Sequence, residues 1–116
     1  MSKNPHAPSD VPAVLKQVAR PRRALITAGM PYANGPVHLG HLAGAQVPAD
    51  IYARWMGLLI GREHVLYVNG TDDHGSASEV AAIKEGVSIR EFIDRTHESQ
   101  RRTLERYRIG VDVYSG

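Results

Sequence analysis

Two short apolar runs, separated by a longer amphipathic stretch, set the predicted architecture. The runs cover residues 24–29 and 64–70, and each ends in a glycine. Short apolar runs bounded by glycine are typical of buried strands. The first run has no room for alternating polarity, which predicts a parallel strand covered on both faces of a sheet.

The stretch between the two strands predicts a helix from Leu39 to Leu59. Its apolar residues recur near helical spacing, and Pro48 should kink or restart the helix because proline removes a backbone donor and clashes with the preceding turn. Trp55 and Met56 are predicted to lie in the core. Strand, helix and strand then form a βαβ unit with parallel strands. The apolar positions are Leu42, Ala45, Ile51, Tyr52, Trp55, Leu58 and Leu59.

Two further helices are predicted after the second strand. Ser76 and Ser88 each stand three residues before a glutamate, which is the pattern of a capping box at a helix start. Gly86 predicts the end of the first of these helices. The second helix has an apolar stripe made of Ile89, Phe92, Ile93, Thr96, Thr103, Leu104 and Tyr107. The exposed i,i+4 ion pairs expected on it are Glu91 with Arg95 and Glu98 with Arg102.

The chain of 116 residues is long enough for one domain with one core. Residues 1–22 carry several prolines among polar residues, so we expect a mobile leader there and a folded part at 23–116. The formal net charge of +2 is too small to indicate nucleic-acid binding by itself. Arginines cluster near the C-terminus, but a solvated helix face explains them better.

The residue types that are missing exclude several classes of protein. The sequence has no cysteine, which excludes disulfides, cysteine zinc sites and thiol chemistry and suits a reducing compartment. It has no run of about 18 apolar residues and no signal-peptide pattern. We therefore expect a cytoplasmic protein that does not associate with membranes.

The loop between the first strand and the long helix has a restricted shape. Pro31 and Pro36 fix the backbone on either side of Asn34 and Gly35, a pair that tolerates left-handed conformation. A tight loop of this kind, at the point where a strand turns into a helix, is where α/β proteins bind ligands.

The helix that follows this loop begins with two histidines. His38 and His41 are three residues apart, so they share one face beside free backbone N–H groups and the positive end of the helix dipole. Anionic oxygens are attracted to such a helix start. Gly40 lies between them without a side chain, which lets a phosphate or a flat ring approach the backbone. The pattern indicates a phosphate-binding site.

Two carboxylates and an imidazole follow the second strand, at Asp72, Asp73 and His74. The carboxyl ends of parallel strands meet at one edge of a sheet, so these side chains should face the same crevice as the loop. A carboxylate there can receive an ammonium group or a ribose hydroxyl. The alternative is that Asp72 or Asp73 caps the next helix.

Two other kinds of site are less consistent with the sequence. Histidines near aspartates also permit a zinc or manganese site, since imidazole and carboxylate suit both metals. A dinucleotide site would need G-x-G-x-x-G after the first strand, and the sequence has no such pattern there.

The four residues His38-Leu39-Gly40-His41 resemble the "HIGH" signature of class I aminoacyl-tRNA synthetases. That short pattern is also shared by nucleotidyltransferases, so its flanks matter. Segments 31–35, 48–54 and 70–75 are similar to methionyl-tRNA synthetases, in the same order. The resemblance runs over residues 24–114 and corresponds to the beginning of the catalytic domain. It implies an α/β fold: the first half of a Rossmann-like (HUP-type) nucleotide-binding fold, with parallel strands and flanking helices.

The same resemblance implies roles for individual residues. In the family, ATP (with Mg²⁺) activates methionine, which is then attached to tRNA. His38 and His41 would be the catalytic residues, and Asp72 would hold the ammonium group of L-methionine. The implied ATP-binding residues are Asn34, Gly35, His38, Gly40 and His41, and the implied methionine-binding residues are Met30, Tyr32 and Asp72. Core packing is the alternative for Met30 and Tyr32. The family carries zinc, where it has it, in a later subdomain, so no metal site is expected here.

The resemblance also implies a truncated form that keeps half of a site. The lysines of the sequence are Lys3, Lys16 and Lys84, and none lies in a loop like the family's "KMSKS" segment. We therefore expect no more than trace activity from this chain alone, and contact with tRNA only through the missing domains. An uncovered edge of the first strand favours a homodimer or a partner chain. Two alternatives remain: a non-catalytic paralogue that binds a nucleotide or a partner, and a small nucleotidyltransferase.

Overall fold

The computed structural model describes residues 20–116, so the leader expected at 1–22 lies almost wholly outside the described residues. Within that part the chain forms one three-stranded parallel sheet in the order β1-β2-β3. The strands are β1 (Ala24–Thr27), β2 (Val65–Gly70) and β3 (Val113–Ser115). The predicted α/β class with parallel strands is confirmed, and both strands predicted from the sequence are present.

Helices connect the strands and contribute the other layer of the structure. They are α1 (Leu39–His41), a π-helical turn (Leu42–Gln46), α2 (Val47–Ile60), a 3₁₀ turn (Arg62–His64), α3 (Ser76–Glu85) and α4 (Ile89–Arg106). Pro48 lies in the first turn of α2, directly after the π-helical turn, so its missing N–H falls where the helical hydrogen-bond pattern changes. The predicted restart of the helix at Pro48 is therefore confirmed, and the π-helical turn precedes it.

The ends of α3 and α4 differ from one another in how they are capped. Ser88 is the N-cap of α4, and its side-chain oxygen accepts a hydrogen bond from the backbone N–H of Glu91 at 3.2 Å. Gly86 ends α3 in the left-handed conformation with φ of 70°. Both features were predicted. The capping box at Ser76 was wrong, because Gly75 is the N-cap and Ser76 is already helical.

The core lies on one face of the sheet. Ile26 of β1 and Tyr67 of β2 point into it, together with Met56 of α2. The alternate strand residues do not, because Leu25 is 68% exposed and Leu66, its register partner, is 45% exposed. The expectation that β1 is covered on both faces of the sheet is therefore wrong for the described residues. The buried residues that pack together in this core are Ile26, Leu42, Ala53, Met56, Val65, Tyr67, Leu104 and Ile109.

Two expectations about the helices also need correction. Trp55 is exposed rather than buried, whereas its neighbour Met56 is buried as predicted. On α4, Arg95 pairs with Glu85 of α3 and not with Glu91. The predicted pair of Glu98 with Arg102 is present at 2.7 Å, and Ile89 and Tyr107 of the predicted stripe are exposed.

Asp112 joins β2 to the segment that leads into β3. Its carboxylate accepts a hydrogen bond from the N–H of Tyr67 at 2.8 Å and pairs with Arg62. Burial raises the pKa of Asp112, but the Tyr67 hydrogen bond and the Arg62 charge lower it by more, so the net shift is downward. The ordered sheet then brings the segments after β1 and β2 to one edge.

No helix between residues 20 and 116 is long and apolar enough to cross a membrane.

Candidate functional site

The segments that follow β1 and β2 meet through an isolated parallel β-bridge between Tyr32 and Asp72. The N–H of Asp72 donates to the carbonyl oxygen of Pro31 at 2.9 Å, and the N–H of Ala33 donates to the carbonyl oxygen of Asp72 at 3.0 Å. This backbone pairing extends the sheet beyond its regular strands. It places residues 30–35 beside residues 70–75, as the shared-edge prediction requires.

The side chains at this edge are available to a ligand. Met30 and Tyr32 are each 56% exposed, so core packing is wrong for both. Asp72 is half-buried, and neither it nor Asp73 caps α3, because that N-cap is Gly75. A β-carbon built on Gly75 would meet the Tyr32 ring at 3.7 Å, so the ring lies over the glycine backbone.

The two histidines form a stacked pair at the start of α1. Their ring centroids are 3.7 Å apart with an interplanar angle of 19°. The Nδ1 atom of His38 accepts a hydrogen bond from the N–H of Gly40 at 3.1 Å, and the Nδ1 atom of His41 accepts one from the N–H of His38 at 3.3 Å. Each ring therefore accepts a hydrogen bond from a backbone N–H at the helix start through its Nδ1 atom. The Nε2 atom of each ring takes no part in these two hydrogen bonds.

Electrostatics favour the neutral form of the second histidine. Burial, followed by the neighbouring His38, lowers the pKa of His41 from its ordinary value. Two imidazolium rings stacked at this distance would repel one another. Because each Nδ1 atom accepts a backbone N–H, each ring in its neutral form carries its proton on Nε2, from which it can donate to a phosphate oxygen.

Gly40 has a role that the sequence did not indicate. A β-carbon at this position would lie 3.1 Å from the Nδ1 and Cε1 atoms of the His38 ring. The missing side chain therefore leaves room for the imidazole of His38 to fold back onto the backbone. This space for the His38 ring is separate from the access of a ligand to the Gly40 backbone, which the sequence predicts.

A buried polar cluster behind the loop was missed by the sequence analysis. Gln46, in the π-helical turn, is completely buried, and its Nε2 atom donates to the carbonyl oxygen of Gly29 at 3.1 Å. Asn69 of β2 donates to the Oε1 atom of Gln46, and the hydroxyl of Tyr67 donates to its carbonyl oxygen at 3.4 Å. The spacing along the chain could have indicated that Gln46 is buried, because it lies four residues after Leu42, a core residue, on the same face of the helix.

A second polar cluster lies where β2 ends. The hydroxyl oxygen of Thr71 is 2.5 Å from a carboxylate oxygen of Asp73 and 2.6 Å from Nδ1 of His97 on α4. The hydroxyl has one proton, so it donates to Asp73 and accepts from a protonated Nδ1 of His97. The His97 ring packs against Tyr114 of β3 at 4.8 Å. Burial and the charge of Asp73 raise the pKa of Tyr114 to about 12.

A further residue that the sequence did not indicate lies on α4 and contacts the loop directly. The Nε2 atom of Gln100 donates to the carbonyl oxygens of Tyr32 at 3.0 Å and Gly35 at 2.7 Å. Gln100 is 1% exposed. It interrupts the predicted apolar stripe with a polar residue, which was the available signal.

Metal ligands are not grouped in the part of the chain that the structure describes. No set of three or more histidine, cysteine, aspartate or glutamate side chains in that part is placed to hold a metal ion. The described side chains at the sheet edge can form hydrogen bonds to a ligand and stabilise charge on it.

Residues 24–116 match the sequence profile of the family described as "tRNA synthetases class I (M)". This match covers most of the chain. The chain belongs to the class I methionyl-tRNA synthetase family. The predicted resemblance is confirmed.

Curated relatives agree with this assignment. The methionine–tRNA ligase of Bacteroides fragilis is 46% identical over 94 residues, which are 81% of this chain and 14% of that enzyme. The methionine–tRNA ligase of Thermococcus kodakarensis is 48% identical over 92 residues, which are 79% of this chain and 12% of that enzyme. The chain thus spans about one seventh of the length of the relatives it matches.

Solved structures show the same part of the same fold. The Mycobacterium tuberculosis methionyl-tRNA synthetase in complex with methionyl-adenylate superposes with a TM-score of 0.72 at 29% identity, covering 81% of this chain and 18% of that one. An Agrobacterium radiobacter leucyl-tRNA synthetase superposes equally well, with a TM-score of 0.72 at 23% identity over 84% of this chain and 12% of that one, which supports the fold alone. The fold is a Rossmann-like fragment of a class I synthetase catalytic domain.

Proposed function

We propose that this chain carries half of a site for ATP and L-methionine, and that in a complete enzyme this half-site supports the activation of methionine and its attachment to tRNA. The observations that carry the proposal are the Tyr32–Asp72 bridge at the sheet edge and the stacked His38–His41 pair at the start of the helix that follows the same loop. Membership of the methionyl-tRNA synthetase family supports it. So does the methionyl-adenylate bound by the M. tuberculosis relative.

The ATP half of the proposed site is the start of α1 and the loop before it. His38 and His41 would donate hydrogen bonds to phosphate oxygens, while Gly40 would face the adenine. Asn34 and Gly35 are exposed or half-exposed in the same loop and would line the nucleotide. Mg²⁺ would accompany the phosphates, since it is usually bound largely through substrate phosphate oxygens and waters.

The methionine half is the bridge between the two loops. Asp72 would accept the ammonium group, because a half-buried carboxylate makes strong charge-assisted hydrogen bonds. The exposed side chains of Tyr32 and Met30 would contact the methionine side chain. The backbone bridge fixes the spacing between Tyr32 and Asp72, and hence between the two ends of the amino acid.

The proposed reaction joins these halves. A carboxylate oxygen of methionine attacks the α-phosphorus of ATP, a new P–O bond forms, and the bond to pyrophosphate breaks. Negative charge grows on the phosphate oxygens, and imidazole donors at the start of α1 would stabilise it. One such preorganised donor typically contributes about 100- to 1,000-fold in rate.

This chain alone should not complete the reaction efficiently. Lys84 lies within α3, and none of the three lysines in the sequence stands in a segment that resembles the family's lysine loop. Attachment to tRNA would depend on segments of the longer enzymes that have no counterpart in these 116 residues. We also propose a cytoplasmic location, where charged tRNA is used.

Assembly is a further part of the proposal. β1 is an edge strand in the described sheet, and Leu25 and Leu66 leave apolar surface on the open face. Exposed edges and apolar faces recruit other chains. We propose that a second copy, or a partner chain, covers this surface.

The experiment is ATP–pyrophosphate exchange with each amino acid, combined with calorimetric titration of ATP and of methionine into the purified chain. We expect binding of ATP and methionine in the micromolar-to-millimolar range and no more than trace methionine-dependent exchange. Strong exchange by the isolated chain would refute the half-site. Binding of neither ligand would leave a non-catalytic paralogue that binds a partner, and nucleotidyl transfer without methionine would select the small nucleotidyltransferase.

A further inference from the structure

We propose that Gln100 is a positioning residue that sets the shape of the Tyr32–Gly35 turn before any ligand binds; the inference rests on the half-site proposed above. The turn joins the two halves of that site, since Tyr32 is on the methionine side and Asn34 and Gly35 are on the ATP side. Gln100 comes from α4, an element to which no role in the site was assigned.

The contacts define what Gln100 does. Its amide nitrogen donates to the Tyr32 carbonyl oxygen at 3.0 Å and to the Gly35 carbonyl oxygen at 2.7 Å. One amide nitrogen carries two N–H groups, so a single rigid group holds both carbonyls at a fixed separation. The β-bridge uses the carbonyl of Pro31 and the N–H of Ala33, which leaves the Tyr32 carbonyl to Gln100.

The other end of the same side chain argues against a purely structural role. The Oε1 atom of Gln100 is buried and has no hydrogen-bond partner among the described residues. A buried acceptor without a partner destabilises the folded state, so an apolar side chain would suit this core position better. A residue that breaks a packing rule in this way is expected where function requires it. The compensating gain here is the placement of the turn.

The helix supplies the rigidity that such a role needs. Gln100 lies on the buried face of α4 between Thr96 and Leu104, one turn away on either side. Its side chain is therefore held by packing, and the loop is held by a regular element rather than by another loop. A turn that is already ordered costs less free energy to bind a ligand than one that must be ordered on binding.

The test compares Gln100→Met with Leu104→Met, a control on the same face of the same helix. Methionine is close to glutamine in length and has no amide, so the first variant loses the two hydrogen bonds and the unpartnered oxygen together. In the ligand-free chain we expect amide hydrogen exchange in residues 30–37 to be at least about tenfold faster in Gln100→Met, with the exchange of β2 and α4 unchanged. The melting temperature should stay close to that of the wild-type chain, because the loss of two hydrogen bonds and the removal of an unpartnered buried oxygen oppose one another. Calorimetry should show ATP affinity reduced by about tenfold. Leu104→Met should change neither the loop exchange nor the ATP affinity.

A second variant, Gln100→Glu, keeps the size of the side chain but replaces both donors with a carboxylate that faces two carbonyl oxygens. It should accelerate loop exchange at least as much. Unchanged loop exchange in Gln100→Met would overturn the inference, as would faster exchange spread evenly over β2 and α4, which is the mark of a core residue. Unchanged ATP affinity despite a loosened loop would also overturn it. If the wild-type chain binds no ATP while the loop responds as expected, the positioning role stands and the half-site fails.

Discussion

Tyr32 and Asp72 face one another across a parallel β-bridge, so the two residues proposed to hold opposite ends of methionine are tied together by backbone hydrogen bonds of 2.9 and 3.0 Å. Their spacing depends on the main chain and not on side-chain packing. A substitution of the Asp72 side chain should therefore change ligand chemistry without moving the loop.

The first prediction follows from this bridge. Asp72→Asn should weaken methionine binding by about 10- to 100-fold, since a hydrogen bond to a charged group contributes about 1.5–3 kcal/mol. ATP affinity and melting temperature should stay the same. Calorimetric titration of methionine measures the effect, and Glu79→Gln, the same loss of charge on exposed α3, serves as the control. An equal loss of methionine affinity in both variants would mean that the change in net charge, and not the Asp72 carboxylate, causes the effect.

The second prediction concerns the stacked histidines. The double variant His38→Ala, His41→Ala should reduce ATP affinity by more than about tenfold, because it removes both imidazole donors proposed for the phosphates. The matched control is His64→Ala, an exposed histidine in the 3₁₀ turn before β2. Calorimetry that finds the same ATP affinity in the double variant and the wild-type chain contradicts the assignment.

The third prediction tests the pairing of β2 with β3. A β-carbon on Gly70 would lie 1.7 Å from the backbone oxygen of Ser115, whereas one on Gly44 would meet nothing within 4 Å. Gly70→Ala should therefore lower the free energy of unfolding by about 3 kcal/mol or more, as severe backbone clashes do. Gly44→Ala should be neutral or stabilising. Urea unfolding followed by circular dichroism compares them, and similar stabilities would mean that β3 does not pair as described.

The parts of the structure that local sequence controls were predicted well. Ser88 and Gly86 act through their own backbone neighbourhood, and their positions in the chain were enough to place a helix start and a helix end. The same holds for the helix start at Leu39, whereas the stacking of His38 on His41 and the close approach of Gly40 to the His38 ring were not predicted. The position of Asp72 near the loop followed from the rule that parallel strands share a carboxyl edge, whereas the backbone bridge to Tyr32 was not predicted.

The errors came from contacts that local sequence does not contain. Trp55 and Met56 are adjacent, so they point about 100° apart on a helix and only one can face the core fully. Leu25 looks like a buried residue, but the described helices pack on the other face of the sheet. Gln100 was passed over because a polar residue within an apolar stripe does not reveal its hydrogen-bond partner, and only the fold brings the distant loop to it.

The fourth prediction concerns alkaline stability. The pKa of Tyr114 is raised to about 12 by burial and by Asp73, above the ordinary value of 10.0. The fold thus favours the neutral phenol, so this contribution to stability is complete below pH 10 and is lost as the pH rises from about 10 to about 12. Tyr114→Phe should remove this loss.

The same variant should be more stable at neutral pH by about 1 kcal/mol, because the Tyr114 hydroxyl is buried without a partner among the described residues. Ultraviolet titration of phenolate and unfolding measured from pH 8 to pH 12 check both statements. Tyr107→Phe, which changes an exposed tyrosine, is the control. A phenolate titration near pH 10 for every tyrosine would contradict the shift.

The last prediction concerns assembly through the open face of the sheet. Leu25 and Leu66 are register partners on neighbouring strands, so they form one continuous apolar surface next to the unpaired edge of β1. Leaving apolar surface in water costs about 25 cal/mol per Å², and a second copy that covers it recovers this free energy. The wild-type chain should therefore be dimeric at micromolar concentration by light scattering, and Leu25→Lys with Leu66→Lys should make it monomeric with its fold intact. Leu58→Lys changes a residue of α2 that is 90% exposed, and it tests whether the copies meet through the helix instead of through the sheet. If only Leu58→Lys yields the monomer, the copies meet through α2; a well-folded wild-type monomer would mean that this surface stays open in solution.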